Sequence, residues 1–299
     1  MRKKLKLLNG EYNVVINDIR HWYKVGSAEK KTTPIVIIHG GPGGYNYVFE
    51  RTIGPYLEQF STIIYYEQRG CGRSDAPASE TDYSIEGLVS DLKELCSYLN
   101  LQKIIPLGYS FGGELALEFA IAYPENIDKI ITQGPSMFSD NKRMSNTQVN
   151  GFLRVSDRLE KKKINAIVNS KIDIEEQCSR IWAIVSTETV DKLLFKNQKF
   201  AKINRTMWTE SGLVNTGHMM KALLKSNREN TLIERLNQIM SPTLIITGRY
   251  DYNVGIELNK EMAENIKKST FVVFENSGHF PDIEESQKYA DLIRRFIKT

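Results

Sequence analysis

The pentapeptide Gly108-Tyr109-Ser110-Phe111-Gly112 fits the pattern G-x-S-x-G, which can carry a serine nucleophile on a sharp turn between a strand and a helix. An apolar run at residues 104–107 precedes it, and an alanine- and leucine-rich helical pattern follows at residues 113–120. Glycines two residues before and after the serine leave room for backbones that cross closely. The sequence therefore predicts that Ser110 is the nucleophile of a covalent acyl transfer.

A serine hydroxyl needs a histidine to take its proton and a carboxylate to orient that histidine. The three groups are expected along the chain in the order serine, acid, histidine, each on a loop after a strand. Three of the four histidines fall in a strand pair, a glycine-rich loop and a helical segment, namely His21, His39 and His218. His279 follows the predicted strand 270–274, and Asp251 follows the predicted strand 242–247. We therefore predict a triad of Ser110, Asp251 and His279, with a surface aspartate and an ordinary loop histidine as the alternatives.

Acyl transfer also requires two N–H donors directed at the developing oxyanion. The backbone N–H of Phe111 follows the nucleophile at a predicted helix N-terminus, so it is one candidate. Gly41, in the loop after the predicted strand 34–38, is the other, because a glycine lets the backbone approach the substrate. A phosphate-binding loop is the alternative for residues 39–44, but the Lys-Ser/Thr pair of such a loop is missing.

The composition is that of an ordinary globular protein of 299 residues, with 41% hydrophobic and 25% charged residues. A net charge of +4 is too small to indicate nucleic-acid binding, and the sequence contains no apolar run long enough to span a membrane. The basic start at residues 1–6 is followed by no apolar core, so we expect no signal peptide. Three separated cysteines are typical of free thiols in a reducing cytoplasm.

Short apolar runs alternate with longer amphipathic segments along most of the chain, which predicts a mostly parallel sheet with helices on both faces. Roughly ninety polar, lysine-rich residues interrupt this alternation where one helix would suffice. We therefore expect a catalytic domain at residues 1–135 and 227–299 and a helical cap at residues 136–226, inserted over the edge of the sheet where ligands bind. An independent helical domain is the alternative.

Five segments together resemble α/β-hydrolases of the proline iminopeptidase (prolyl aminopeptidase) type. They are His39-Gly-Gly-Pro-Gly43, Gln68-Arg-Gly-Cys-Gly-Arg-Ser74, Gly108-Tyr-Ser-Phe-Gly-Gly113, Gly248-Arg-Tyr-Asp251 and Gly278-His279. The resemblance covers both ends of the predicted catalytic domain and only loosely the cap. It implies an α/β-hydrolase fold, release of an N-terminal residue, often proline, from a peptide, and no metal or organic cofactor.

An aminopeptidase must also bind a charged N-terminal amine, and a carboxylate would pair with it. Segment 204–212 looks most like the family's cap signature, which implies Glu210 as the amine-binding residue and Trp208 as a wall for a proline ring. A solvated glutamate on a helix is the alternative for Glu210. Asn204, Glu67 and Tyr252 depart from the family's pattern and leave the predicted triad intact.

The sequence thus predicts a cytoplasmic serine aminopeptidase that releases proline or another small apolar residue from short peptides. A carboxylesterase, lactonase or amide hydrolase acting on a small neutral molecule shares the same catalytic groups and is the second hypothesis. A non-catalytic receptor on the same fold is the third. We expect a small-molecule or short-peptide partner, and the sequence does not indicate an oligomeric state.

Overall fold

The central element is a mixed sheet. The computed structural model describes residues 7–213, 217–225 and 231–299. The strands are β1 (Gly10–Ile16), β2 (Ile19–Gly26), β3 (Ile35–Ile38), β4 (Ile63–Tyr66), β5 (Ile105–Tyr109), β6 (Ile130–Gln133), β7 (Thr243–Gly248) and β8 (Ser269–Phe274). In the described residues they form one sheet in the order β1-β2-β4-β3-β5-β6-β7-β8. β1 and β2 pair antiparallel, as do β2 and β4, and the remaining neighbours are parallel. The predicted mostly parallel sheet is confirmed.

Helices cover both faces of this sheet. The helices before β7 are α1 (Tyr47–Arg51), α2 (Gly54–Leu57), α3 (Ile85–Tyr98), α4 (Phe111–Ala122), α5 (Asn141–Val155), α6 (Arg158–Val168), α7 (Ile174–Ile184), α8 (Thr187–Leu194), α9 (Gln198–Ser211), α10 (His218–Lys225) and α11 (Leu232–Arg235). Those after β7 are α12 (Ile256–Glu264), α13 (Pro281–Glu284) and α14 (Ser286–Phe296).

The apolar runs of the central strands reflect burial on both faces. In β3, Ile35 and Ile37 belong to a buried cluster with residues of α2 and α14, whereas Val36 and Ile38 belong to a cluster with residues of α3 and α4. Successive side chains of a strand point to opposite faces, so both parities must be apolar when helices cover both sides.

The segment between β3 and β4 contains two short helices, α1 and α2, in place of one longer helix. Pro55 lies in the first turn of α2. Proline lacks the N–H that would continue the preceding helix, but its fixed φ suits the start of a new one.

The backbones of β3, β5 and α4 pass very close to one another around Ser110. A Cβ on Gly108 would lie 2.0 Å from the carbonyl oxygen of Gly112, and a Cβ on Gly112 would lie 2.0 Å from the carbonyl oxygen of Ile38. Contacts this short exclude any side chain. The two glycines therefore fix the turn of the G-x-S-x-G pattern against the end of β3.

The segment between β6 and β7 is helical, with α5 to α11 in the described residues, of which α5 to α10 lie before residue 226. This agrees with the predicted character of residues 136–226, although the division into two domains remains a prediction. The predicted boundary at residue 226 and the basic start at residues 1–6 lie outside the described residues. Within the described ranges no helix is both long and apolar enough to cross a lipid bilayer.

We predict that Gly112→Ala destabilises the protein by about 3 kcal/mol, because the added methyl group must displace the backbone of β3 or α4. The free energy of unfolding, measured by urea titration, tests this. Gly212→Ala is the matched control, since Gly212 has φ +61° and an added Cβ would meet nothing within 4 Å in the described chain. That variant should lose only about 1 kcal/mol from the unfavourable φ. Equal losses in the two variants would contradict the steric explanation.

Candidate active site

Parallel strands bring the predicted catalytic side chains to one edge of the sheet. Ser110 follows β5, Asp251 follows β7 and His279 follows β8. His279 Nδ1 lies 2.8 Å from Asp251 Oδ2, and Ser110 and His279 line the same cavity. At the end of β6, a Cβ on Gly134 would lie 3.0 Å from the His279 ring and 3.1 Å from Asp251 Oδ2. The absence of a side chain at Gly134 is therefore what lets this pair pack over the sheet edge.

Ser110 lies on a strained turn. Its φ of 53° and ψ of −124° are unusual for a residue with a side chain, and such backbone conformations cost on the order of 1–3 kcal/mol. The turn is held on both sides, since the Ser110 N–H donates to the Gln133 carbonyl at 2.8 Å and the Ser110 carbonyl accepts from the Gly113 N–H at 2.9 Å. This places the Ser110 side chain at the cavity wall, at the N-terminus of α4.

Asp251 is held as a carboxylate. Burial by itself would raise its pKa, but His279 and the N–H groups of Val254 and Asn253 outweigh burial, and the pKa of Asp251 lies below its ordinary value. Both N–H groups donate to Oδ1 at 3.0 Å, while Oδ2 accepts from His279 Nδ1. Nδ1 must carry a proton to donate to this carboxylate, which leaves Nε2 of a neutral ring free to act as a base.

The backbone of His279 is also fixed. Its N–H donates to the Leu194 carbonyl at 2.6 Å, and its carbonyl accepts from Gln133 Nε2 at 3.2 Å. Among the hydrogen bonds of the described residues, none joins the His279 ring to Ser110 Oγ. Such contacts are often long in ligand-free enzymes and tighten when substrate binds.

The two predicted oxyanion donors come from separate parts of the chain, the loop after β3 and the start of α4. Gly41 lines the cavity with φ +129°, and the peptide bond that joins it to Pro42 is cis. Phe111 is the first residue of α4, where a backbone N–H has no acceptor within the helix. The whole of Phe111 is buried, its ring packs edge-to-face on Phe138, and the residue is not among those that line the cavity.

The glycine-rich loop at residues 39–46 is anchored beneath the cavity. His39 is fully buried; its Nε2 accepts from the Gln68 N–H at 3.1 Å, and its Nδ1 lies 2.9 Å from the Gly40 carbonyl. Burial is the main reason that the pKa of His39 is lowered, so the ring stays neutral and acts as a structural link. Tyr109 Oη donates to the Tyr45 carbonyl at 3.0 Å and anchors the other end of the loop.

A cavity of about 500 Å³ lies above Ser110. Loops at the carboxyl ends of the strands form its floor, and residues of α5, α7, α9 and α10 contribute to the rest of its wall. Most lining side chains are apolar or aromatic; they include Tyr45, Phe138, Met144, Trp182, Met220 and Leu224. A small ligand with an apolar body fits such a lining.

The structure places the two predicted substrate-binding residues, Trp208 and Glu210, in different surroundings. Trp208 lines the cavity, together with Asn204, which precedes it by one turn of α9. Glu210 is exposed, and it is not among the residues that line the cavity. Two residues along a helix correspond to a rotation of about 200°, so Glu210 and Trp208 project from opposite sides of α9. In the sequence, Asn204 and Trp208 are four residues apart, a spacing that places both side chains on one side of a helix. That side of α9 faces the cavity.

Asp282 is a cavity residue that the sequence reasoning missed. It lies in the first turn of α13, three residues after His279, and is only 3% exposed. Burial raises the pKa of Asp282 to about 6, although the hydrogen bond from Gln133 acts in the opposite direction. An acidic residue so close to the predicted base was a signal that the sequence offered.

Nothing in the described chain resembles a metal centre: no group of three or more histidine, cysteine, aspartate and glutamate side chains is arranged to hold an ion. The described cysteines, Cys71, Cys96 and Cys178, are free thiols and are buried.

The sequence profile of the α/β hydrolase fold matches residues 33–286. This chain belongs to the α/β hydrolase fold family. The matched range contains Ser110, Asp251 and His279 and the whole helical segment between β6 and β7.

Curated proline iminopeptidases are similar to this α/β hydrolase over most of its length. That of Saccharolobus solfataricus is 28% identical over 286 residues, which cover 93% of this chain and 89% of the relative. That of Heyndrickxia coagulans is 27% identical over 282 residues, 89% of this chain and 91% of the relative. The sequence resemblance to this type of hydrolase is thereby confirmed.

A crystal structure of a proline iminopeptidase-related protein from Thermus thermophilus has the same fold. It superimposes with a TM-score of 0.81 over 98% of each chain at 18% identity. The predicted α/β-hydrolase fold is confirmed.

We predict that Asp282→Asn stabilises the protein by about 1–3 kcal/mol at pH 7. The folded-state pKa of about 6 lies above the ordinary value of 3.8, so the wild type loses stability as the pH rises from about 3.8 to about 6, and the full loss is present above pH 6. The amide is neutral at every pH and avoids that loss. The difference in unfolding free energy between variant and wild type should therefore shrink from pH 7 to pH 5. A variant less stable than the wild type at pH 7 would contradict this electrostatic explanation.

Proposed function

We propose that this α/β hydrolase is a serine hydrolase that works through an acyl-enzyme, with Ser110, His279 and Asp251 as its triad. The observation that carries the proposal is the shared cavity wall of Ser110 and His279, with Asp251 hydrogen-bonded behind the histidine at 2.8 Å. A serine on a strained strand–helix turn, a neutral histidine and an ionised carboxylate are the three parts that covalent acyl transfer needs.

In the proposed reaction, His279 Nε2 takes the proton of the Ser110 hydroxyl as Oγ attacks the substrate carbonyl. The N–H groups of Gly41 and Phe111 stabilise the oxyanion, and Asp251 stabilises the imidazolium. His279 then donates its proton to the leaving group, which departs as the acyl-enzyme forms. A water molecule that gives its proton to His279 cleaves the acyl-enzyme, and the serine regains its proton.

We propose a peptide with a free N-terminus as the substrate, with release of an N-terminal proline or another small apolar residue. The names of the curated relatives support this class, because both are proline iminopeptidases over nearly the whole chain. The cavity supports it as well, since about 500 Å³ lined largely by apolar and aromatic groups suits a residue of that kind.

A small neutral ester, lactone or amide is the second candidate substrate. It is favoured by the exposed position of Glu210, which removes the carboxylate that the family resemblance implied for binding an amine. The chemistry at Ser110 is the same for both candidates, so a comparison of substrates decides between them.

We predict that Ser110→Ala lowers kcat by roughly 10⁴-fold or more, because the acyl-enzyme can no longer form. Hydrolysis of the p-nitroanilides of proline, alanine and leucine, measured beside p-nitrophenyl esters, tests the nucleophile and the substrate class together. Cleavage of the anilides that stops when their amine is blocked supports the aminopeptidase. Cleavage of esters alone supports the second candidate, and full turnover by the variant would exclude Ser110 as the nucleophile.

We predict that Glu210→Gln changes kcat/KM for every one of these substrates by less than about twofold, because the side chain is exposed outside the cavity and surface substitutions of this kind have small effects. The same assays measure this. A selective loss of anilide cleavage would show that Glu210 reaches the substrate after all.

A further inference from the structure

The cavity wall contains two carboxylates within the described part of the chain, Asp282 and Glu175. They differ in their surroundings. Asp282 is 3% exposed at the edge of the sheet, whereas Glu175 is half-buried in the first turn of α7, which packs against α5 and α6.

Gln133 connects Asp282 to the backbones of both reacting residues. The Gln133 carbonyl accepts from the Ser110 N–H at 2.8 Å. Its side-chain Nε2 donates to Asp282 Oδ1 at 2.7 Å and to the His279 carbonyl at 3.2 Å. Asp282 is therefore separated from Ser110 and from His279 by a single bridging residue.

The wall around Asp282 is apolar. Val48, Leu194, Phe280 and Ile283 belong to one hydrophobic cluster, and all four also line the cavity. The titratable groups that face Asp282 are His279 from its own loop, Tyr109 from β5 and Tyr289 from α14. An ionised carboxylate in such a wall is unfavourable unless a cation pairs with it.

The substrate of an aminopeptidase carries such a cation at a fixed place. Its α-ammonium is attached to the carbon next to the scissile carbonyl, so it must lie close to the serine that attacks that carbonyl. Of the two carboxylates, Asp282 is the one that a single residue ties to Ser110.

We propose that Asp282 binds the protonated α-amine of the substrate, while the apolar cluster of Val48, Leu194, Phe280 and Ile283 receives the side chain of the N-terminal residue. This inference rests on the aminopeptidase activity proposed above. A role in substrate binding explains why the cavity that contains Ser110 also has a buried carboxylate whose ionisation opposes folding. Residues needed for activity are often retained although they lower stability.

The test uses Asp282→Asn with two substrates whose acyl groups differ only in the amine, alanine p-nitroanilide and p-nitrophenyl propionate. We expect kcat/KM for the anilide to fall by about 100-fold or more, largely through KM, because the ammonium loses its partner. The ester should change by less than about threefold. Glu175→Gln and Glu210→Gln are the matched carboxylate controls.

Equal losses on both substrates would overturn the proposal and leave Asp282 as a residue that merely positions His279. A loss of anilide cleavage alone in Glu175→Gln would also overturn the proposal, because it would identify Glu175 on α7 as the residue that binds the amine. Failure of the wild type to cleave any free-amine anilide while it cleaves the ester would refute the aminopeptidase itself, an outcome visible without any variant.

A second measurement needs only the wild-type protein. The ratio of kcat/KM for the anilide to kcat/KM for the ester cancels every pH dependence that the two reactions share, and the pH dependence that remains belongs to groups of the free enzyme that only one reaction needs. As the pH falls from 7 to 5, Asp282 takes up a proton with a pKa of about 6, and the ratio should drop about tenfold. A ratio that stays constant over this range would overturn the proposal.

Discussion

The close approach of three backbone segments at Ser110 is the constraint on which the rest of the site depends. The end of β3, the end of β5 and the start of α4 meet at Gly108 and Gly112. Neighbouring backbone atoms occupy the space that a Cβ at either position would need. The turn between β5 and α4 can therefore adopt its left-handed φ only in the context of the packed sheet, which supplies the hydrogen-bond partners on both sides. Strain at a functional residue is stable when surrounding structure determines it in this way.

Two buried carboxyl groups with different pKa shifts lie at the same edge of the sheet. Asp251 and Asp282 are both almost completely buried close to His279, yet their pKa values shift in opposite directions. Asp251 accepts two backbone N–H groups and the His279 ring, which stabilise its charge. For Asp282, burial is the largest effect, and the Gln133 amide, the backbone N–H groups of Asp282 and Ile283 and the interaction with His279 do not offset it. Two carboxylates with opposite shifts can take different roles beside one histidine.

The helical segment between β6 and β7 supplies part of the cavity wall above this edge of the sheet. Its helices bring aromatic and apolar side chains over Ser110, and the ring of Trp208 from α9 lies 4.3 Å from that of Tyr45 in the glycine-rich loop. This contact joins the segment to the loop that carries Gly41. The shape of the cavity and the position of one proposed oxyanion donor are thus mechanically linked through packed side chains.

A mostly parallel sheet with helices on both faces and the candidate triad of Ser110, Asp251 and His279 could be predicted from the sequence. These follow from local patterns: continuous apolar runs for buried strands, glycines at fixed spacing, and the few histidines available. The sequence also predicted helices between β6 and β7, because that stretch is polar and long.

Which side chains of those helices and loops line the cavity depends on how the elements pack, and the structure was needed to identify them. Glu210 and Trp208 are two residues apart in sequence, and the rotation of α9 places only Trp208 at the cavity. The sequence places Asp282 three residues after His279, but its burial against Gln133 of β6 arises from elements that are distant along the chain. Contacts of this kind depend on how separate elements pack, and local patterns of residue type do not encode that packing.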